Sequence, residues 1–286
     1  MNKRIFTLLL AALLLLTASG CSKKQALPEQ KTADILATTQ PVYQLASALT
    51  DGTGLSVSLL ISEPVSCLHD YTLTVSQMEM IEQSGLVLES GLGLENFMED
   101  VLRGKTRIDI SRNLDTLPGE DGADPHWWLD PMRYKQAAEL AAQELGAQYP
   151  EFADQISENL AAFCEKLSSL QDYGEQALSD LSCRQLVTFH DGFSYFADAF
   201  SLTIAAAMEV ESGSEPSAKE LEEIISIVEE NQIPAVFTEV NGETGAAEVV
   251  AGEAGCAVRT LDMAISNRDY FAAMRQNIDI VKEALG

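Results

Sequence analysis

Short apolar runs alternate with stretches whose apolar residues return every three or four positions, and the alternation occurs twice along the chain. In the first half, residues 34–39, 55–61, 86–88 and 107–110 read as strands, while 42–50, 75–83 and 94–102 carry helical spacing. In the second half, 185–188, 202–206, 235–238 and 257–261 read as strands, and 193–200, 218–231, 245–253 and 270–285 as helices. Such alternation specifies parallel sheets with helices on their faces. Asp130 followed by Pro131 predicts an N-cap with proline at the first helical position, opening a helix to about residue 145. Ser217, followed by a run of Glu, predicts another helix start. Between the halves, residues 151–181 are rich in Glu, Gln, Ala and Leu, with no proline and a single glycine, Gly174. Ile156, Leu160, Phe163, Leu167, Leu170 and Tyr173 predict one helix of roughly thirty residues, on the order of 45 Å long. A helix of that length outreaches one small lobe. The expected class is α/β: two lobes, each a mostly parallel sheet flanked by helices (residues 33–150 and 183–286), joined by one long rigid helix (151–182).

The ends add a destination. Lys3 and Arg4 precede an apolar run over 5–18, too short to span a bilayer comfortably and built like a secretory signal. Ala18-Ser19-Gly20 before Cys21 resembles the lipobox of bacterial lipoproteins, with alanine where leucine is more usual. That resemblance implies a signal peptide over 1–20, cleavage before Cys21 and lipid on its thiol. Residues 21–32 would then be a polar, lipid-anchored tether, and the protein would work on the extracytoplasmic face of the bacterial membrane. Formal net charge is −26, from 18 basic and 44 acidic residues, and the first twenty residues hold no acidic ones. Phosphate backbones need Lys and Arg, so nucleic acid is excluded as a partner. Cys67, Cys164, Cys183 and Cys256 contain no C-x-x-C spacing, which weakens zinc-ribbon and thioredoxin readings. An exported chain can form disulfides among them, in any of three pairings.

Only three histidines occur: His69 in Cys67-Leu-His69-Asp-Tyr71, His126 in Asp124-Pro-His126-Trp-Trp-Leu-Asp-Pro131, and His190 in Thr188-Phe-His190-Asp-Gly192. Neutral imidazole is the commonest protein ligand for zinc. Ligands of open parallel sheets collect beyond the carboxyl ends of the strands. His69 follows the strand at 55–61 by a short loop, His190 directly follows that at 185–188, Asp262 directly follows that at 257–261, and His126 sits in the loop entering the helix at Pro131. Two groups from each half thus face the cleft between lobes. Three imidazoles and a carboxylate make a tetrahedral shell for Zn²⁺, or a higher-coordinate one for Mn²⁺ if the carboxylate binds through both oxygens. Singly, each histidine is as well explained by a loop or a cap, and Asp262 by capping a turn. Asp124 and Asp191 are candidate acceptors for imidazole N–H groups, Asp130 either that or a helix cap, and Glu239 a supporting group, an alternative ligand or an N-cap. Trp127 and Trp128 read as packing.

At these residues the chain resembles the zinc/manganese solute-binding lipoproteins of bacterial ABC transporters. The resemblance runs through Leu36-Ala-Thr-Thr-Gln-Pro-Val-Tyr43, His69-Asp70-Tyr71, Leu86-Val-Leu-Glu-Ser-Gly-Leu-Gly-Leu-Glu95, the loop at 124–131, Phe189 to Phe196, Glu215 to Leu221, Val236-Phe-Thr-Glu239 and Leu261-Asp262. It implies one ion between two lobes, held by His69, His126, His190 and Asp262 and passed to a membrane permease driven by a cytoplasmic ATPase, by a monomeric carrier that is not an enzyme. Histidine at position 190 implies zinc, since manganese carriers of this family tend to have glutamate there. Thr72-Leu73 replace the family's usual Glu-Pro, Leu68 replaces a smaller residue or proline, and Met263 stands where proline is common, which makes Asp262 the least secure ligand. The family's His-rich loop has no counterpart, since 118–123 is short and lacks histidine. Two rivals remain: a zinc-dependent hydrolase with Glu239 as base, which would need an open coordination position, and an adhesin needing metal only to stay folded.

Overall fold

The first strand is apolar and buried at every position, Ile35, Leu36 and Ala37 each being at most 1% exposed, as strands between two helical layers are. The computed structural model describes residues 33–63, 71–119, 122–208 and 216–286. Across the first sheet the strands run Val57–Leu59 (β2), Ile35–Ala37 (β1), Leu86–Glu89 (β3) and Arg107–Asp109 (β4), all parallel. Two bridged dipeptides, Pro118–Gly119 (β5) and Gly122–Ala123 (β6), follow as an antiparallel pair. The second sheet runs Ala257–Leu261 (β10), Ala235–Glu239 (β9), Gln185–Thr188 (β7) and Thr203–Ala207 (β8), again all parallel. Both sheets start on an inner strand, add the next on one side and the third on the other. Strand order therefore reverses between β1 and β3 and again between β7 and β9. These are the positions where an open sheet leaves a crevice at its carboxyl edge.

Helices Gln40–Leu49 (α1), Val75–Gln83 (α2) and Glu99–Leu102 (α3) belong to the first lobe. A capping box starts α2: Thr74 Oγ1 accepts from Gln77 N and Gln77 Oε1 accepts from Thr74 N. The helix expected over 94–102 is broken into a 3-10 turn at Asn96–Met98 and the short α3. The cause is the turn before it, where Gly91, Leu92 and Gly93 all have positive φ and Glu95 folds back onto Ser90 N and Gly91 N.

Pro131–Gln148 (α4) opens with Asp130 Oδ1 accepting from Met132 N and Arg133 N, as Asp130-Pro131 predicts. The connecting helix Ala153–Ala177 (α5) has 25 residues, about 37 Å at 1.5 Å per residue. It is shorter than expected at both ends: Pro150–Phe152 form a separate 3-10 turn before it, and it stops at Ala177 with Leu178 as C-cap. It still touches both lobes. Asn159 Nδ2 donates to Leu49 O and Asp51 O at 2.9 Å, while Gln171 Nε2 donates to Ala199 O at 2.9 Å. Gly174 lets the helix pass close to the second lobe: a Cβ there would lie 2.1 Å from Phe200 Cε1. The second lobe is completed by Ser194–Ala199 (α6), Ala218–Glu230 (α7), Gly245–Ala254 (α8) and Tyr270–Leu285 (α9). Ser217 and Glu220 form the capping box of α7, and Asp269 caps α9 through Ala272 N. Cys164, Cys183 and Cys256 are free thiols; Cys21 and Cys67 lie outside the described residues. Among the described residues no helix is long and apolar enough to cross a membrane.

Candidate metal centre

His126 is fixed before any ion arrives. Asp124 Oδ1 accepts from His126 N at 2.9 Å and lies 2.8 Å from Nδ1 of the same ring. A carboxylate only accepts, so Nδ1 carries the proton and Nε2 keeps its lone pair for a cation. Asp124 is itself buried, and its carbonyl accepts from Tyr195 Oη at 2.9 Å while Leu117 N donates to the same hydroxyl at 3.0 Å. The two tryptophans after His126 hold the loop at both sides. Trp127 Nε1 donates to Ser90 O beyond β3 at 3.0 Å, and Trp128 Nε1 donates to Met263 O beyond β10 at 2.8 Å. Both indoles are buried. They pack the loop, as expected, and each also satisfies a backbone carbonyl.

His190 follows β7 and is 8% exposed. Its ring lies edge-on to that of His126, with centroids 5.3 Å apart and planes at 82°. An ion about 2.0–2.1 Å from one nitrogen of each ring, at a tetrahedral angle, would hold the centroids roughly 5.2 Å apart. Glu239 ends the neighbouring strand β9, so His190 and Glu239 flank the point where strand order reverses. Glu239 Oε1 is 3.9 Å from His190 Nδ1, and Oε2 is buried without a hydrogen-bond partner. Burial pushes the Glu239 carboxyl up to about 8. Its N-cap reading does not hold, since Thr244 is the N-cap of α8. A Cβ at Gly192 would lie 2.5 Å from Met263 Cε and 2.7 Å from His190 Cδ2, so only glycine lets the 190–192 turn pass so close to the ring.

Asp262 is 3% exposed and caps its own turn: Oδ1 accepts from Ala264 N at 2.8 Å and Ser266 Oγ reaches Oδ2 at 3.2 Å. Asn277, fully buried in α9, brackets its backbone by accepting from Asp262 N at 2.8 Å and donating to Asp262 O at 2.7 Å. Arg268 Nη1 stands 3.7 Å from Asp262 Oδ2. The turn-cap role is thus realised in the geometry. Of the four expected ligands, the structure brings His126 and His190 together and buries Asp262 one residue from Met263, which touches the 190–192 turn. His69 lies outside the described residues. Among the described residues, no three His, Cys, Asp or Glu side chains are gathered to hold an ion. Asp124 takes the expected role of imidazole acceptor, Asp130 is a helix cap, and Asp191 is exposed.

Sequence patterns did not point to Asn277, Tyr195 or Arg268. Asn277 has a legible signal, a polar residue on the apolar stripe of 270–285. Tyr195 acts through contacts 71 and 78 residues apart in the chain, and Arg268 across an irregular turn; periodicity carries neither.

Comparison with known proteins assigns the family. The family of periplasmic zinc-uptake complex component A (ZnuA) matches residues 35–284. The zinc-binding lipoprotein AdcA of Streptococcus pneumoniae (strain ATCC BAA-255 / R6) is 28% identical over 313 residues, covering 97% of this chain and 60% of its own. The chain therefore spans about three fifths of the length of that relative. The high-affinity zinc uptake system protein ZnuA of Haemophilus ducreyi is 30% identical over 241 residues, 72% of this chain and 77% of that protein. A crystal structure of ZnuA superposes with a TM-score of 0.80 at 30% identity, over 88% of this chain and 99% of that one. With the family match running through both sheets and the helix between them, the chain belongs to the periplasmic zinc-uptake component A family.

Proposed function

We propose that this protein is an extracytoplasmic carrier that captures Zn²⁺ between its lobes and delivers it to the permease of an ABC transporter driven by a cytoplasmic ATPase. His69, His126, His190 and Asp262 hold the ion. Cys21 carries a lipid that tethers a monomeric carrier to the membrane by residues 21–32, after removal of residues 1–20; the lobes are 33–150 and 183–286, and 151–182 connects them. The observation that carries the reading is the pair of imidazoles: His126 has Nε2 left for a cation by the Asp124 contact, and His190 faces it at a centroid distance of 5.3 Å. Zinc-binding relatives in the same family support it. Manganese is the second cargo, favoured by the carboxylate of Asp262 in the ligand set and by Glu239, whose Oε1 lies 3.9 Å from His190 Nδ1. Four protein ligands leave no open position for an activated water, which argues against the hydrolase reading.

Metal content after dialysis against an equal mixture of Zn²⁺ and Mn²⁺ tests this, with wild type beside His190→Ala. One zinc per chain in wild type, lost or much weakened in the variant, supports the zinc carrier. Manganese in preference would keep the carrier and replace its cargo. No stoichiometric metal in wild type would sink it.

A further inference from the structure

Asp262 is a buried carboxylate whose two oxygens are treated differently. Oδ1 accepts from the Ala264 amide at 2.8 Å and has the Ser266 hydroxyl at 3.4 Å, while Oδ2 has that hydroxyl at 3.2 Å and alone faces a cation, Arg268 Nη1 at 3.7 Å. The Arg268 contact is a charge pair with no hydrogen bond in it, so it parts without leaving a donor unpaired. Arg268 is half-exposed, its side chain being 49% accessible against 4% for Asp262, so the guanidinium has water to move into. Its backbone, by contrast, is pinned from the other lobe. Gln44 in α1 donates from Nε2 to Arg268 O at 2.6 Å and accepts from Tyr270 N at 2.8 Å.

A buried carboxylate without a cation is costly. We infer that Arg268 is the built-in counter-cation of Asp262, seated on Oδ2 when the site is empty and displaced when a divalent ion arrives. The inference rests on the carrier reading with Asp262 as ligand. Arg268 does not ligate. It competes with the ion for Oδ2, so it lowers affinity, and it returns as the ion leaves, which keeps Asp262 from being stranded during release. Arg268 is thus a residue that sets how tightly cargo is held.

The test is Zn²⁺ affinity by competition with a chelator of known strength, for wild type, Arg268→Gln, Arg268→Lys, Asp262→Asn and the double variant Arg268→Gln/Asp262→Asn. Removing the cation that pairs with Oδ2 in the empty site is expected to tighten binding on the order of tenfold in Arg268→Gln. Arg268→Lys keeps the charge and should bind close to wild type. In the Asp262→Asn background the gain from Arg268→Gln should largely vanish, because the carboxylate being contested is gone. Affinity unchanged or weaker in Arg268→Gln, with wild type still binding one ion, overturns the inference and leaves the carrier intact. An undiminished gain in the Asp262→Asn background also overturns it, by reducing Arg268 to a general surface charge. Wild type that binds no metal would instead overturn the carrier reading.

Discussion

The two sheets have the same strand order, yet their crevices are finished in opposite ways. In the first lobe, Glu95 fills the crevice between β1 and β3: Oε1 accepts from Thr38 Oγ1 at 2.7 Å and Ser90 N at 2.8 Å, and Oε2 accepts from Gly91 N at 3.0 Å. In the second lobe, β7 and β9 end in His190 and Glu239, and Glu239 Oε2 is buried with no hydrogen-bond partner. One crevice is closed by a carboxylate whose oxygens are both engaged by the chain itself. The other keeps polar groups that a ligand can engage. Repetition of a fold therefore does not repeat a site; the residues just past the strands decide whether a crevice is closed by the chain itself or keeps groups a ligand can engage.

Closing the first crevice harder should cost the most. Gly91 has φ +84° and a Cβ there would lie 2.1 Å from both Asp109 Oδ1 and Ser111 Oγ. Gly91→Ala is expected to lose about 2–4 kcal/mol of stability, measured by denaturant unfolding. At the ligand-facing side, Asp124→Asn removes the negative charge behind His126 Nδ1 and should weaken zinc binding about 10–100-fold with little change in melting temperature. A loss of folding instead would make Asp124 structural. Glu95→Gln places an amide N–H against the donors of the first crevice, for about 1–3 kcal/mol. Burial, opposed by the Thr38 bond, raises the Glu95 pKa to about 7. The folded state then holds a proton that the unfolded state has released. Stability from Glu95 is full below about pH 4.5 and is lost as pH rises through 7, so wild type should weaken between pH 5 and 8 and Glu95→Gln should not. Glu239→Gln should matter least, within about 1 kcal/mol at pH 7, since burial already keeps that carboxyl protonated and no donor is aimed at Oε2. A large cost there would erase the contrast between the crevices.

Local chemistry explains what was legible beforehand. Strands β7 and β10 and helices α2 and α9 begin and end where the apolar pattern, Ser/Thr/Asp caps and glycines place them. The histidine loops were visible because histidine is so scarce. The break in the 94–102 helix was not, because it depends on Glu95 reaching back to a turn whose glycines also suit an ordinary loop. Arg268 and Gln44 were silent as well. Gln44 acts through a contact 224 residues apart, and Arg268 meets Asp262 across an irregular turn, so no helix or strand spacing rule reaches either.

The tryptophan pair has a mechanical consequence. Trp127 and Trp128 are adjacent in the chain yet fasten one histidine loop to opposite lobes, and α5 runs beneath both as a beam. A clamshell that must swing wide would tear one of these buried bonds with each cycle. If the proposed carrier role holds, a frame fastened this way should exchange its ion by local opening of the short loops at its rim, insensitive to anything that merely stiffens the beam.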